Sequence, residues 1–378
     1  MKKIAFITHS FHQKTRSAHI YADEFFDKDS YLSDYFYIDD WSPDSAGPDQ
    51  IIEGYDIVVI VQLMSLNILK KIKCDNIVFI PMYDFSHSWD AFKWLECVNL
   101  KILTPIKKIH DLLCGMGLNS FYFKYYPEVG EWLPGDPAAV FLWQRISTIS
   151  LRTTLHLLKN FHIDRLFLHR VVDPGFEFFL PSPRIVRKYN IQLSEWFEKK
   201  EQYLDIVKKS GLYIAPRLSE GGASAFIDAM KMGKVVVAHN DAAMNEYIIH
   251  NETGLLYDAH AVRPLDPDTV DLPAIQKNAW ESVSLGRRAF RDSVPNILDF
   301  IESKNKSLMS GKLYSALSHL RHEKETLIDS LENAVFNAVN IRWYTLWGLV
   351  RKERLVRIYH RLRRRFRSLV LYVQYRIG

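Results

Sequence analysis

Three features of the 378-residue chain predict its fold class. Short β-branched runs alternate with helical patterns over the first 258 residues, a Pro/Gly-rich stretch near residues 131–137 divides them, and the sequence beyond about residue 275 is helical in pattern. Strands alternating with helices make βαβ units and a parallel sheet covered on both faces. The expectation is therefore an α/β chain of two consecutive Rossmann-like domains, followed by C-terminal helices and a basic amphipathic tail. The length agrees, since one ordinary domain holds roughly 100–200 residues.

The first domain is expected over residues 1–132. Its strands are KKIAFITHSF, YDIVVIVQL leading into a helical SLNILKKIK, DNIVFIPMYD, VNLKILTP followed by a helical IKKIHDLLCGMG, and SFYFKYYPE. The aromatic run FYFKYY reads as core strand rather than as a platform for stacking sugars. The second domain, 133–274, begins with the strand AAVFLWQRIS and the helix TTLHLLKNFHI. Then come DRLFLHRVV, a helix near Ser194 to Lys209, GLYIAPRL, a helix from about Ala223 to Met232, KVVVAHN, a short helix near Met244 to His250, and TGLLYD. Residues 275–341 are expected to be connecting helices and 342–378 the tail. No internal repeat is evident.

Composition excludes several classes. With 48% hydrophobic and 25% charged residues the chain is neither disordered nor fibrous. Cys74, Cys97 and Cys114 lack CxxC spacing and neighbouring His pairs, so neither a zinc site nor a disulfide framework is expected, and a reducing compartment fits. The start, MKKIAFITHSF, has too short an apolar run for a secretory leader, and stretches such as Ile57 to Val61 fall far below the ~18–20 residues of a membrane span. HSFHQKTRS follows the first strand where a GxGxxG would stand, and GxxxxGK[ST] is absent, which removes the usual support for dinucleotide enzymes and P-loop NTPases.

Charge is concentrated at one end. Residues 342–378 carry eleven Lys and Arg against Glu353 alone, a net of +10, so the other 341 residues net −5 within a total of +5. Trp343, Leu346, Trp347, Val350, Leu355, Tyr359, Leu362, Phe366, Leu369 and Val373 recur at steps of mostly three or four, one apolar helix face with arginines between. An interfacial helix on an anionic membrane surface rewards this combination, each basic group adding on the order of 1 kcal/mol. Docking on the protein's own body is the alternative. Nucleic acid is not expected, because no binding motif accompanies the arginines.

The most informative stretch is LYIAPRLSEGGASAFIDAMKMGKVVVAHNDAAMNEYIIHNETGLLYD, residues 212–258. A strand ends at Pro216, a loop carries Glu220 and paired glycines, and a helix of small residues follows. The free N–H groups and positive dipole end of such a helix can receive a phosphate, and Gly221 and Gly222 let the anion approach the backbone. Glu220 and Asp228, eight residues apart, are acids suited to accept hydrogen bonds from a sugar or ribose diol.

These residues resemble the retaining GT-B glycosyltransferases of family GT4, the group that includes bacterial capsule, exopolysaccharide and lipopolysaccharide transferases. The shared pattern runs from Glu220 to Asp228 and through Ala229-Met230, Gly233 to Ala238, Asn245 to Ile248 and Thr253 to Asp258. The close resemblance covers about 45 residues, and the two-domain layout extends it weakly over about 300. It implies two domains facing across a cleft, with Glu220 against the donor sugar and the backbone from Gly222 through Ala223 to Ser224 at the diphosphate. Asp228 would hold the ribose, and Arg145, ending VFLWQR, would steady the leaving diphosphate. Two departures stand out: the second acid is Asp rather than Glu, and Ser150 replaces a lysine five residues after the arginine, with Arg152 as a candidate substitute. Glu246 either faces the donor or caps the short helix beside it.

The first domain is expected to bind the acceptor. His9, His12, Lys14, Thr15 and Ser17 follow the first strand, and Asp84 and His87 follow another, at the strand ends where α/β ligands sit. His169 reads as a satisfied buried or cleft histidine. The resulting expectation is a cytoplasmic enzyme, peripheral on the inner face of the membrane, needing no cofactor or metal. It would move a sugar from a nucleotide-diphosphate sugar to a glycan or polyprenyl-linked saccharide. The rivals are a catalytically silent sugar-nucleotide-binding subunit and another GT-B enzyme, such as a sugar-nucleotide epimerase or phosphorylase.

Overall fold

A computed structural model describes residues 1–40, 45–173, 175–222 and 225–304 and, within 315–330, all but 317, 321, 324 and 328. Residues 1–311 form one compact unit; of residues 312–378, those described lie within 315–330 and are helical. The tail at 342–378 lies outside the described residues.

The first sheet is built from β1 (Lys2–His9), β2 (Tyr31–Ile38), β4 (Ile57–Val61), β6 (Ile77–Ile80), β7 (Lys101–Thr104) and β8 (Ser120–Tyr122). A separate pair is β3 (Ile52–Glu53) with β5 (Ile72–Lys73). The helices between are α1 (Phe11–Thr15), α2 (His19–Phe25), α3 (Leu66–Lys70), α4 (Tyr83–Ser86), α5 (Ala91–Trp94) and α6 (Lys107–Gly115). Strand order is β2-β1-β4-β6-β7-β8, all parallel. The central strand β4, Ile-Val-Val-Ile-Val, is buried at every position, as a parallel strand covered on both faces must be. Its side chains alternate between two cores. Val58 and Ile60 join Ala5, Ile7, Phe79 and Ile102 on one face, while Ile57, Val59 and Val61 join Ile4, Phe6, Val78 and Leu103 on the other.

The second sheet repeats the plan with β9 (Asp136–Trp143), β10 (Arg165–His169), β11 (Ile191–Ser194), β12 (Ser210–Ile214), β13 (Val235–His239) and β14 (Leu255–Tyr257). Its helices are α7 (Leu151–Leu157), α8 (Pro183–Lys188), α9 (Lys200–Lys209), α10 (Ala225–Met230) and α11 (Met244–Tyr247). The order is β11-β10-β9-β12-β13-β14, again all parallel.

Three details depart from the sequence reading. The end of SLNILKKIK, read as helix, is strand β5, paired with β3. The stretch read as one helix from Ser194 is instead the end of edge strand β11, paired with β10, and α9 starts only at Lys200. The segment YLSDYFYI, unassigned from sequence, is β2, an edge strand that runs the whole length of β1.

The helix α12 (Leu272–Glu302), 31 residues and about 45 Å long, leaves the second domain and returns to the first. Ile275, Ala279 and Val283 pack in the second domain's cores, while Phe290, Ile297 and Ile301 pack with Phe25, Phe26 and Phe123 of the first. Buried Arg287 fixes the crossing. It donates to Glu24 Oε1 (2.9 Å), Glu128 Oε1 (2.6 Å) and the Tyr126 carbonyl (3.0 Å).

Candidate active site

The strand order reverses direction around β1 in the first sheet and around β9 in the second, and loops at such strand ends are where open α/β sheets gather ligand groups. From β9 comes Arg145, from β10 Asp173, from β12 Arg217 and Glu220, and from β6 of the first domain Asp84. These five form one charged cluster spanning both domains. Arg145 donates to Asp173 Oδ1 through Nη2 (2.6 Å) and Nε (2.9 Å), and its guanidinium lies 4.6 Å from the Trp143 ring centroid. Arg217 donates to the other oxygen of Asp173 through Nη2 (3.0 Å) and Nε (3.2 Å), and reaches across to Asp84 Oδ2 through Nη1 (3.0 Å).

Glu220 is buried beside this cluster, 8% exposed. Burial pushes its carboxyl up to about 7, outweighing the opposite pull of Arg217 and Arg145. Asp84 is likewise raised by burial, against the lowering effect of Arg217, and its Oδ1 is buried with no hydrogen-bond partner. Two carboxyls whose pKa values burial raises, beside two guanidiniums at the junction of two domains, make the kind of perturbed cluster that marks functional clefts.

The glycines bring the loop close to the first domain. A methyl on Gly222 would stand 2.1 Å from Pro105 Cγ, and one on Gly221 would stand 3.3 Å from Asp84 Oδ1. Only a residue without a side chain allows this approach at 222. Ala223 and Ser224, expected at the diphosphate, lie outside the described residues. Asp228, on α10, is paired with Lys231 Nζ (2.6 Å) and is partly exposed. Partly buried Tyr203 is close enough to feel both Glu220 and Asp228 electrostatically.

Other sequence candidates are placed as follows. His12 is buried on α1, bonded through Nε2 to Gln62 Oε1 (2.7 Å) and through Nδ1 to Ser17 Oγ (2.5 Å). Burial lowers its pKa, the charge of Asp84 opposing that effect. Lys14 and Thr15 are exposed on the same helix, and Thr15 bonds Ser17 and the Phe11 carbonyl. His87 is exposed, its Nδ1 3.1 Å from the Asp84 carbonyl oxygen. Ser150 is the N-cap of α7, accepting from Thr153 N (3.2 Å), and Arg152 is exposed in that helix's first turn. His169 is buried, stacked on Phe197 at 4.9 Å, bonded to Ser194 Oγ and driven down to about 4 mainly by burial.

Glu246 does not cap its own short helix. Its carboxylate accepts from the Lys107 N–H (2.8 Å), the Lys108 N–H (3.4 Å) and Tyr122 OH (3.4 Å), so it caps α6 of the other domain. A second strap lies beside it, with Asp241 receiving Lys108 Nζ (2.8 Å) and Tyr83 OH (3.1 Å).

Sequence reading missed Asp173 and Arg217. The available signal was positional: Arg217 lies three residues before Glu220 in the same loop, and Asp173 and Arg145 lie in the loops that follow the adjacent strands β10 and β9. Among the described residues, no group of three or more His, Cys, Asp or Glu is placed to hold a metal ion, and no helix is long and apolar enough to cross a membrane.

Residues 189–265, which carry β11 to β14 and the Glu220 loop, match the family model described as glycosyl transferases group 1. A comparison with curated protein sequences gives no match. Among solved structures, sucrose-phosphate synthase from Thermosynechococcus elongatus is similar at 13% identity and TM-score 0.52, over 79% of this chain and 98% of that one. HepE of Anabaena in complex with UDP is similar at 12% identity and TM-score 0.52, over 79% and 99%. A glycosyltransferase from Rickettsia africae is similar at 13% identity and TM-score 0.50, over 79% and 98%. These likenesses are of fold, and the fold is GT-B. Together with the matched segment they define the class of the protein, a glycosyltransferase.

Proposed function

We propose that the chain is a retaining glycosyltransferase of the GT4 type that moves a sugar from a nucleotide-diphosphate sugar to a growing cell-surface glycan. The observation that carries this reading is the buried Glu220 carboxyl at the domain junction, set between the cationic pair-forming Arg145 and the first-domain carboxylate Asp84. The donor's sugar lies against Glu220, and its diphosphate lies at Arg145 and the backbone of Gly221 and Gly222. The acceptor hydroxyl comes from the first-domain side, where the unpaired Asp84 Oδ1 is available to receive it. As the bond from the anomeric carbon to the diphosphate breaks, its electron pair stays with the phosphate. The acceptor oxygen bonds to that carbon on the same face and passes its proton to Asp84 Oδ1.

The nucleotide assignment is supported by the HepE complex with UDP, a protein of the same fold. A lipid-linked acceptor and attachment to the inner face of a membrane rest on the sequence of residues 342–378 together with the resemblance to the GT4 transferases. No resident cofactor or metal is assigned. A catalytically silent, donor-binding subunit is the second reading, favoured by Ser150, whose hydroxyl is committed as a helix cap and carries no charge.

The test is nucleoside diphosphate release by the full chain from UDP-, GDP- and ADP-sugars, with and without lipid-linked or detergent-soluble acceptors. Acceptor-dependent release that disappears in Glu220→Ala, with the α-anomeric donor giving an α-linked product by NMR, supports the proposal. Nucleotide binding with no turnover across the panel favours the silent subunit, and an inverted product refutes the retaining mechanism.

A further inference from the structure

We infer that Arg217 is a catalytic residue, the partner of Arg145 in a paired-guanidinium cradle for the departing diphosphate; the inference rests on the transferase reading above. Its geometry is that of two cations sharing one oxyanion. Arg145 holds Asp173 Oδ1 at 2.6 Å and Arg217 holds Asp173 Oδ2 at 3.0 Å. Guanidinium recognises carboxylate and phosphate by the same fork geometry, so a place where two guanidiniums grip opposite oxygens of one carboxylate also suits adjacent oxygens of a phosphate. Asp173 is the group that the diphosphate displaces.

The chemistry calls for that second cation. When the anomeric carbon–oxygen bond breaks, the nucleoside diphosphate gains one negative charge and the acceptor hydroxyl loses a proton, so fixed positive charge at the phosphate lowers the barrier. Ser150 supplies none, its oxygen bonding Thr153 N (3.2 Å) and Thr153 Oγ1 (2.9 Å) at the start of α7. Arg152 is exposed on that helix. Arg217, by contrast, sits in the same loop as Glu220, so the cation and the carboxyl that faces the sugar are carried together. Its remaining contact, Nη1 to Asp84 Oδ2 at 3.0 Å, ties that loop to the acceptor side. Turning Arg217 toward a diphosphate frees the Asp84 carboxylate for the acceptor hydroxyl.

The test uses isothermal titration of the full chain with UDP, GDP and ADP and with UMP, GMP and AMP, comparing wild type, Arg217→Ala and Arg217→Lys. The expected result is that Arg217→Ala weakens the preferred diphosphate about tenfold or more and leaves the matching monophosphate within about twofold. With the matching sugar nucleotide, kcat falls about a hundredfold, Arg217→Lys keeps part of it, and added guanidinium ion restores part of it to Arg217→Ala. The proposal is overturned if Arg217→Ala binds the diphosphate and turns over like wild type, or if it loses di- and monophosphate alike, as a merely structural role would produce. Should Arg217→Ala fail to fold, unchanged diphosphate affinity and kcat in Arg217→Lys, with no gain from guanidinium, overturns it equally. A wild type that binds none of the three diphosphates instead refutes the transferase reading on which this inference stands.

Discussion

Replacing Glu220 by Gln should make the protein more stable at neutral and alkaline pH while removing its activity. The carboxyl ionises near 4.5 in an unfolded chain and at about 7 in the folded one, chiefly because burial penalises the charge. Below pH 4.5 both states hold the proton and the group contributes nothing. As pH rises from 4.5 to 7 the unfolded chain releases its proton first, so stability falls; above pH 7 the deficit is constant. The gap between those two values corresponds to about 3 kcal/mol, an upper value for a site in which Arg217 and Arg145 already compensate part of the charge. A neutral, nearly isosteric amide avoids this penalty. Urea unfolding of wild type and Glu220→Gln from pH 4 to 9 should therefore show equal stabilities near pH 4, a difference that opens through pH 5–7, and a plateau beyond. A variant less stable than wild type at pH 8, or a difference that does not change with pH, would refute the assignment of Glu220 as a buried, desolvated carboxyl kept for function.

Three further outcomes follow from the packing. Gly222→Ala places a methyl within 2.1 Å of Pro105 Cγ, so the loop must withdraw from the first domain; kcat should fall at least about tenfold while the melting temperature changes little, because the loop moves rather than the core. Gly286→Ala sets a methyl 2.4 Å from the Tyr126 ring under α12, and chemical denaturation should report a loss of about 1–3 kcal/mol. Glu246→Ala removes the acid that caps α6 from the other domain, costing about 1 kcal/mol by denaturation and raising the rate of proteolytic cleavage in the segment between β8 and β9.

The parts of the fold that the sequence made legible are those whose pattern has one physical meaning. Residues 57–61 of β4, 139–142 of β9, 212–214 of β12 and 235–238 of β13 are continuous apolar runs because both of their faces are covered. The edge strands were hidden for the converse reason. β2 mixes Ser33 and Asp34 among its aromatics and β11 exposes Gln192 and Leu193, since each has a partner on one side only. The return of α12 to the first domain was also out of reach, because its apolar periodicity would serve either domain equally. In the site, Glu220 and its glycines were visible as a local motif, and Arg145 through its resemblance to a family arginine at a strand end. Asp173 and Arg217 acquire meaning only when three strand ends, far apart in sequence, are aligned by the sheet. Glu246 shows the same limit in reverse, since its neighbours in sequence suggested the donor and its neighbours in space are the backbone amides of α6.

The central claim is that a nucleotide sugar is bound at the Glu220 loop between the two domains. Hydrogen exchange of the full chain, with and without the nucleoside diphosphate that binds most tightly, tests it most directly. The account predicts protection of the peptides spanning 143–150, 170–175 and 215–224, with a smaller effect at 82–87, and loss of that pattern in Arg145→Ala. Binding that protects some other region and leaves the 215–224 peptide exchanging as in the free protein would contradict it.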